Sequence, residues 1–210
     1  MRWHSCGRKC DGLLRHAAHS PQWKKIDSLY FEFGSDPRNL RLGLPTDGMN
    51  PYDNLGSKHS SWPVLLIIYN LLYWLCMKRK YMTLSMIISR PRQPRNDINV
   101  YLSPLIEDLR LLWNEGIEIF DAYEKVNFKL RAFLFCTIND FLAYGNLSGY
   151  SVKGHRACPI CEENTSYHQL KHGRKTCYSG HRRFLKLIIL TAGRKKLLMV
   201  VRKTEQHLYL

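Results

Sequence analysis

The sequence predicts an α/β fold on three observations: three β-like runs follow one another, an amphipathic helical stretch comes next, and a fourth β-like run closes the series, all within residues 36–150. Periodicity separates the two kinds of element. Side chains return to one face every second residue in a strand and about every 3.6 residues in a helix.

Residues 1–35 are rich in His, Cys, Trp and Lys and hold no sustained period of either kind, so an irregular N-terminal segment is expected there. A short apolar stretch at residues 40–44 ends in Pro45-Thr46-Asp47-Gly48, with Asn50-Pro51 and Asn54 beyond it. Such a cluster of turn formers closes a strand. The second and third runs span residues 62–72 and 81–89, and the third stops at the breaker Pro91-Arg92-Gln93-Pro94. Three strands in succession predict an antiparallel meander.

Leu102, Leu105, Ile106, Leu109, Leu112 and Trp113 then recur at three- and four-residue steps on a stretch ending at Gly116. That spacing lays an apolar stripe along a helix and places a glycine at its end. Residues 128–138 begin with apolar/polar alternation and become continuously apolar, as a strand entering a covered sheet centre does, and they end at Asn139-Asp140. Gly145-Asn-Leu-Ser-Gly149 reads as a turn.

Composition bounds the function. At 210 residues and 24.7 kDa the chain fits one domain, or one with a small satellite, and its 45% hydrophobic content excludes wholesale disorder. Lys and Arg number 32 against 17 Asp and Glu, a net charge of +15, so a polyanionic partner is expected, nucleic acid first. Residues 151–210 hold +10 of that charge. The most apolar run, residues 64–77, contains Asn70 and falls short of the roughly 20 residues a membrane helix needs. It is read as buried core, and no membrane partner is expected. Seven cysteines and a polar, basic start favour a reducing compartment, where paired cysteines act as metal ligands before disulfides.

Two aspartates stand at strand ends. In an RNase H-like topology the first strand lies beside the fourth, so Asp47 and Asp140 can converge on a common cation site. Hard carboxylate oxygens suit Mg²⁺, and paired metal ions serve in-line phosphodiester displacement. Spacing leaves plainer roles open, because Asp-Gly after a strand is a common turn and Asn-Asp before Phe-Leu-Ala can cap a helix.

A second constellation follows. Cys158-Pro-Ile-Cys161 lies in a turn-forming basic segment, with His168, His172, Cys177 and His181 after it, enough ligands for a closed tetrahedral Zn²⁺ site of structural type. Lys171, Arg174, Lys175, Arg182 and Arg183 surround these ligands, with Tyr167, Tyr178 and Phe184 interleaved. They are either a phosphate-contacting surface or, for the aromatics, a small local core. His4, Cys6, Cys10, His16 and His19 match no common finger spacing and are not read as a metal site.

Ordered blocks along the chain carry a family resemblance: Asp36-Pro-Arg-Asn-Leu-Arg-Leu-Gly-Leu, Thr46-Asp-Gly-Met-Asn-Pro-Tyr, Ser60-Ser-Trp-Pro-Val, Tyr101-Leu-Ser-Pro-Leu-Ile-Glu-Asp-Leu, Thr137-Ile-Asn-Asp-Phe, Cys158-Pro-Ile-Cys and Gly180-His-Arg-Arg-Phe-Leu. Through them the chain resembles plant CACTA-type (En/Spm-like) transposases from Arg2 to Leu185. The resemblance implies a DDE/D-type active site on an RNase H-like core, Mg²⁺-dependent cut-and-paste DNA transposition at terminal inverted repeats, and a nuclear location. It implies Asp47 and Asp140 as the first and second acidic positions. It favours Cys158, Cys161 and His181 as zinc ligands, with the fourth, taken as His172, open to His168 and Cys177.

The expected organisation is therefore an irregular segment over 1–35, a partial RNase H-like core over 36–150, a zinc-binding CxxC insertion over 151–186 and a divergent tail over 187–210. Codons compatible with residues 188–200, read one base earlier, encode a peptide resembling the family's continuation, so the tail is read as frameshifted. Ala17, Leu72, Tyr73 and Leu142 replace prolines usual in the family. A truncated, inactive transposase fragment is expected, against the alternatives of a non-catalytic basic nucleic-acid-binding remnant and a translated pseudogene.

Overall fold

The computed structural model describes residues 2–9, 11–52, 60–90, 97–149, 151, 154–158, 161–173 and 175–178. Two compact units divide the chain, residues 1–149 and 150–210.

The first unit is built on a four-stranded mixed sheet. Its strands are β1 (Leu40–Pro45), β2 (Ser60–Ile68), β3 (Met82–Arg90) and β6 (Ala132–Ile138), in the order β3-β2-β1-β6. The expected antiparallel meander is present, with β1 against β2 and β2 against β3, and β6 runs parallel to β1. Leu42 and Leu44 of β1 alternate with Arg41 and Gly43, so the two sets face opposite sides of the sheet. The leucine side meets Trp62, Val64 and Ile88 from β2 and β3, and Ala132 from β6.

Helix α5 (Ile98–Asn114) covers that side, burying Ile98, Leu102, Leu105 and Leu109 at steps of four, three and four residues. The expected stripe holds, with Ile106 outside it at 40% exposure. Gly116 ends the helix at φ 70°, and its N–H donates to the Leu111 carbonyl. A Cβ there would stand 2.9 Å from the Leu130 carbonyl oxygen, so glycine is required twice over.

Several expectations are corrected. The single strand over 128–138 is broken at Arg131: β4 (Ile117–Asp121) and β5 (Val126–Leu130) form a separate antiparallel hairpin, and only β6 joins the main sheet. Arg131 is the hinge, its N–H donating to Asn39 Oδ1 and its carbonyl accepting from Leu40. The run over 62–72 ends at Ile68, because the buried Asn70 side chain accepts from the Arg41 N–H and donates to the Asn39 carbonyl. Beyond it lies the short α4 (Tyr73–Cys76), whose Tyr73 and Trp74 are half exposed, so residues 64–77 are not uniformly core. Residues 145–149 are not a turn but the end of α6 (Phe141–Ser148), closed by Gly149 at φ 66°. Leu142 falls in the first turn of α6, a position that also tolerates proline, so its substitution does not break the helix.

The N-terminal segment is ordered into helices rather than irregular. After α1 (Trp3–Cys6), Ser20 caps α2 (Pro21–Leu29) by accepting from the Trp23 N–H, with Pro21 at the first helical position, and α3 (Phe31–Ser35) follows directly. These helices put Trp23 and Phe33, both 1% exposed, against the second face of the sheet, where Trp23 meets Phe135 and Phe33 meets Phe133. Arg41 enters the same layer from β1, its guanidinium 4.7 Å from the ring centres of both Trp23 and Phe33.

The second unit contains, among its described residues, a 3-10 turn at Glu162–Asn164 and the hairpin of β7 (Tyr167–Gln169) and β8 (Thr176–Tyr178). No helix among the described residues is long and apolar enough to cross a membrane.

Candidate functional site

Asp47 and Asp140 owe their placement to the one parallel pairing in the sheet. Pro45 of β1 is matched with Ile138 of β6, and the Thr46 N–H donates to the Ile138 carbonyl at 3.1 Å. Each aspartate stands two residues past its member of that matched pair, on the same edge of the sheet. Adjacent strands lie roughly 4.8 Å apart, so the two residues follow neighbouring strand ends. Both residues are exposed.

The plainer roles are also realised. Asp47 Oδ1 accepts from the Gly48 N–H at 2.7 Å. Asp140 is the N-cap of α6, its Oδ1 accepting from Ala143 N–H at 2.6 Å. Each carboxylate therefore has one oxygen accepting from the backbone, which restrains its rotamer. Two carboxylates completed by waters and substrate phosphates are a normal Mg²⁺ donor set, so the chemistry of the pair fits that ion. Among the described residues no group of three His, Cys, Asp or Glu side chains gathers to hold a metal.

Asp47 does not sit on a free loop. The Thr46 hydroxyl donates to the Pro63 carbonyl, Thr46 bridges Val64, and Met49 and Ser61 exchange both backbone hydrogen bonds at 2.8 and 2.9 Å. Asp47 and Gly48 arch between these two anchors on β2. Beside the strand ends opens a cleft of about 510 Å³ between α5, α6 and the sheet, lined by Leu44, Thr137, Tyr144, Glu107 and Arg110 among others. Glu107 is the acidic side chain in it, and its carboxylate accepts from the Ser103 hydroxyl at 3.4 Å. Asp108 does not line the cleft.

In the second unit Cys158 is buried and Cys161 half-buried, and the Glu162 N–H donates to the Cys158 carbonyl. Cys177 faces His168 across the hairpin, and His172 lies exposed in its connection. Cys158, Cys161 and His172 are not gathered as a three-ligand group. Lys171 and Lys175 are exposed on that same connection. His155 stacks on Tyr167 at 4.0 Å, while the Tyr178 hydroxyl donates to the Gly154 carbonyl. His181, Arg174, Arg182, Arg183 and Phe184, with the whole 187–210 tail, lie outside the described residues.

Histidines 4 and 16 of the N-terminal segment prove buried, packed on Trp23 and on Trp3 and Tyr69 respectively. Burial first, then the neighbouring His19 and His4, pushes His16 down to about 4. The sequence signal for the missed α2 was present in Ser20-Pro21, a helix start.

A family model described as Transposase family tnp2 matches residues 11–206, so it runs beyond Leu185, where the residue-by-residue resemblance stops. No curated protein and no solved structure matches the chain.

Proposed function

Because the chain belongs to the tnp2 transposase family, we propose that its first unit is an RNase H-like transposase core of the CACTA DDE/D type whose Asp47 and Asp140 are the first two acidic positions. The observation that supports this reading is the parallel β1–β6 pairing, in which Asp47 and Asp140 each follow a matched pair by two residues at the same end of neighbouring strands. An RNase H-like core has the same sheet order, with three antiparallel strands and a fourth lying parallel to the first.

When bound, Mg²⁺ supplies charge neutralisation for the attacking and leaving oxygens of a phosphodiester. The chain's own contribution is to aim two oxygens at that position from rigid anchors, the β1–β2 bridges for Asp47 and the α6 N-terminus for Asp140. With Asp47 and Asp140 as its two acidic donors, the chain is proposed to bind DNA and a divalent ion without completing strand transfer. Its partner is DNA, with transposon terminal repeats as the finer proposal, and its compartment the nucleus.

For the second unit we propose a structural Zn²⁺ held by Cys158, Cys161, His181 and His172, with Lys171, Arg174, Lys175, Arg182 and Arg183 contacting phosphates. The exposed lysines of the β7–β8 connection support that reading.

Gel-shift and cleavage assays with terminal-repeat DNA in Mg²⁺ test the proposal. Salt-sensitive binding without nicking is expected; nicking that disappears in Asp47→Ala would reverse the inactivity, and absence of binding at low salt would sink the DNA role.

A further inference from the structure

Gly48, the residue after Asp47, lies on the edge of the Trp62 indole. A Cβ at position 48 would stand 2.8 Å from both Cε2 and Nε1 of that ring and 3.0 Å from Cζ2. Real Cβ atoms do not approach so closely, so the backbone of the arch rests directly on the ring. Trp62 itself is 2% exposed, and its indole nitrogen is buried without a hydrogen-bond partner among the described residues.

We propose that Trp62 is the positioning residue of the cation site: its ring is the floor on which the Asp47-Gly48 arch rests, and it sets where the Asp47 carboxylate stands. The arch has its two ends tied to β2 at Thr46 and Met49, so only its height above the sheet is left to be fixed. Trp62 lies on β2 between those two anchor points, since Thr46 bridges Val64 and Met49 bridges Ser61. A floor thinner than an indole lets the arch sink, and any side chain at position 48 lifts it. Either change moves the Asp47 carboxylate relative to Asp140. This inference rests on the two-carboxylate reading above.

The test uses Mn²⁺ as probe on the full 210-residue chain, following the indole N–H signals by NMR and the binding constant by the loss of free-Mn²⁺ electron spin resonance. In the unsubstituted protein, Mn²⁺ is expected to broaden the Trp62 indole signal before those of Trp3, Trp23, Trp74 and Trp113, and Asp47→Ala to abolish that broadening. Gly48→Ala is expected to weaken Mn²⁺ binding about tenfold, a sub-ångström to ångström displacement of one ligand being enough. The double variant Gly48→Ala with Trp62→Leu, which removes the ring atoms in collision, is expected to bind Mn²⁺ more tightly than Gly48→Ala alone. A merely structural loss would instead make the double variant worse.

The failures separate. If no Mn²⁺ binding occurs, or binding does not depend on Asp47, the two-carboxylate reading falls and this inference with it. If binding depends on Asp47 but the Trp62 signal is not selectively broadened, or the double variant shows no rescue, the carboxylate site stands and the role of Trp62 is overturned.

Discussion

A guanidinium held at 1% exposure has given up its water, and Arg41 replaces it with the Asn39 carbonyl at 3.0 Å, the Asp27 carboxylate at 2.5 Å and two aromatic rings. Asp27 belongs to α2, so this contact ties the N-terminal helices to the central strand. Asp27→Ala leaves the buried cation with the rings and one carbonyl, and is expected to cost on the order of 3 kcal/mol in urea denaturation. Arg41→Met added to Asp27→Ala should recover part of that loss; strict additivity of the two substitutions would show that the charges are not coupled. His16 adds a pH dependence of known sign. Its folded value of about 4 lies below the ordinary 6.5, so the unfolded chain binds the extra proton first. Stability from this group is complete above about pH 6.5 and drains as pH falls toward 4. His4, His19 and Tyr69 surround it. His16→Gln is expected to flatten the thermal midpoint between pH 6.5 and 4, and an unchanged slope would assign that window to other groups.

Elements were legible where a period ran uninterrupted. The α5 stripe and the three-strand meander follow from spacing alone, and so does the closing glycine at 116. The β4–β5 hairpin escaped because residues 126–138 are strand-forming throughout; the break at Arg131 is set by the Asn39 side chain, 92 positions away in sequence. The N-terminal helices escaped because α1, α2 and α3 are four, nine and five residues long, too short to show a period, and are stabilised by packing on a sheet that local sequence does not reveal. For the candidate site, the two aspartates, their strand ends and the capping role open to Asp140 could be read in advance, but not the eight-residue length of α6, because residues 145–149 look like a turn. The two roles can be separated. Asp140→Asn keeps a good N-cap and removes a charge, whereas Asp140→Ala loses both. Asp140→Asn is expected to leave the thermal midpoint nearly unchanged while weakening Mn²⁺ binding, and Asp140→Ala to cost about 1 kcal/mol as well. Equal Mn²⁺ affinity in Asp140→Asn and the unsubstituted chain would restrict this residue to capping.

At the scale of the whole molecule the charge is uneven, with +10 of the +15 in residues 151–210. If those residues meet phosphates, DNA affinity depends steeply on salt, and each lysine in contact contributes about one to the slope of log K against log salt. Lys171→Gln with Lys175→Gln is expected to lower that slope by about two in fluorescence-anisotropy titrations of the full chain. An unchanged slope would place the DNA contacts elsewhere. The helical layer over the second sheet face has its own bearing on how shortened copies of such a gene are to be judged. A message whose translation starts beyond Phe33 encodes both candidate aspartates and would score as retaining the site. Its product would nevertheless expose Phe133 and Phe135 to water and strand Arg41 without its carboxylate, so an open reading frame that keeps the acids is no guarantee of a protein that keeps its shape.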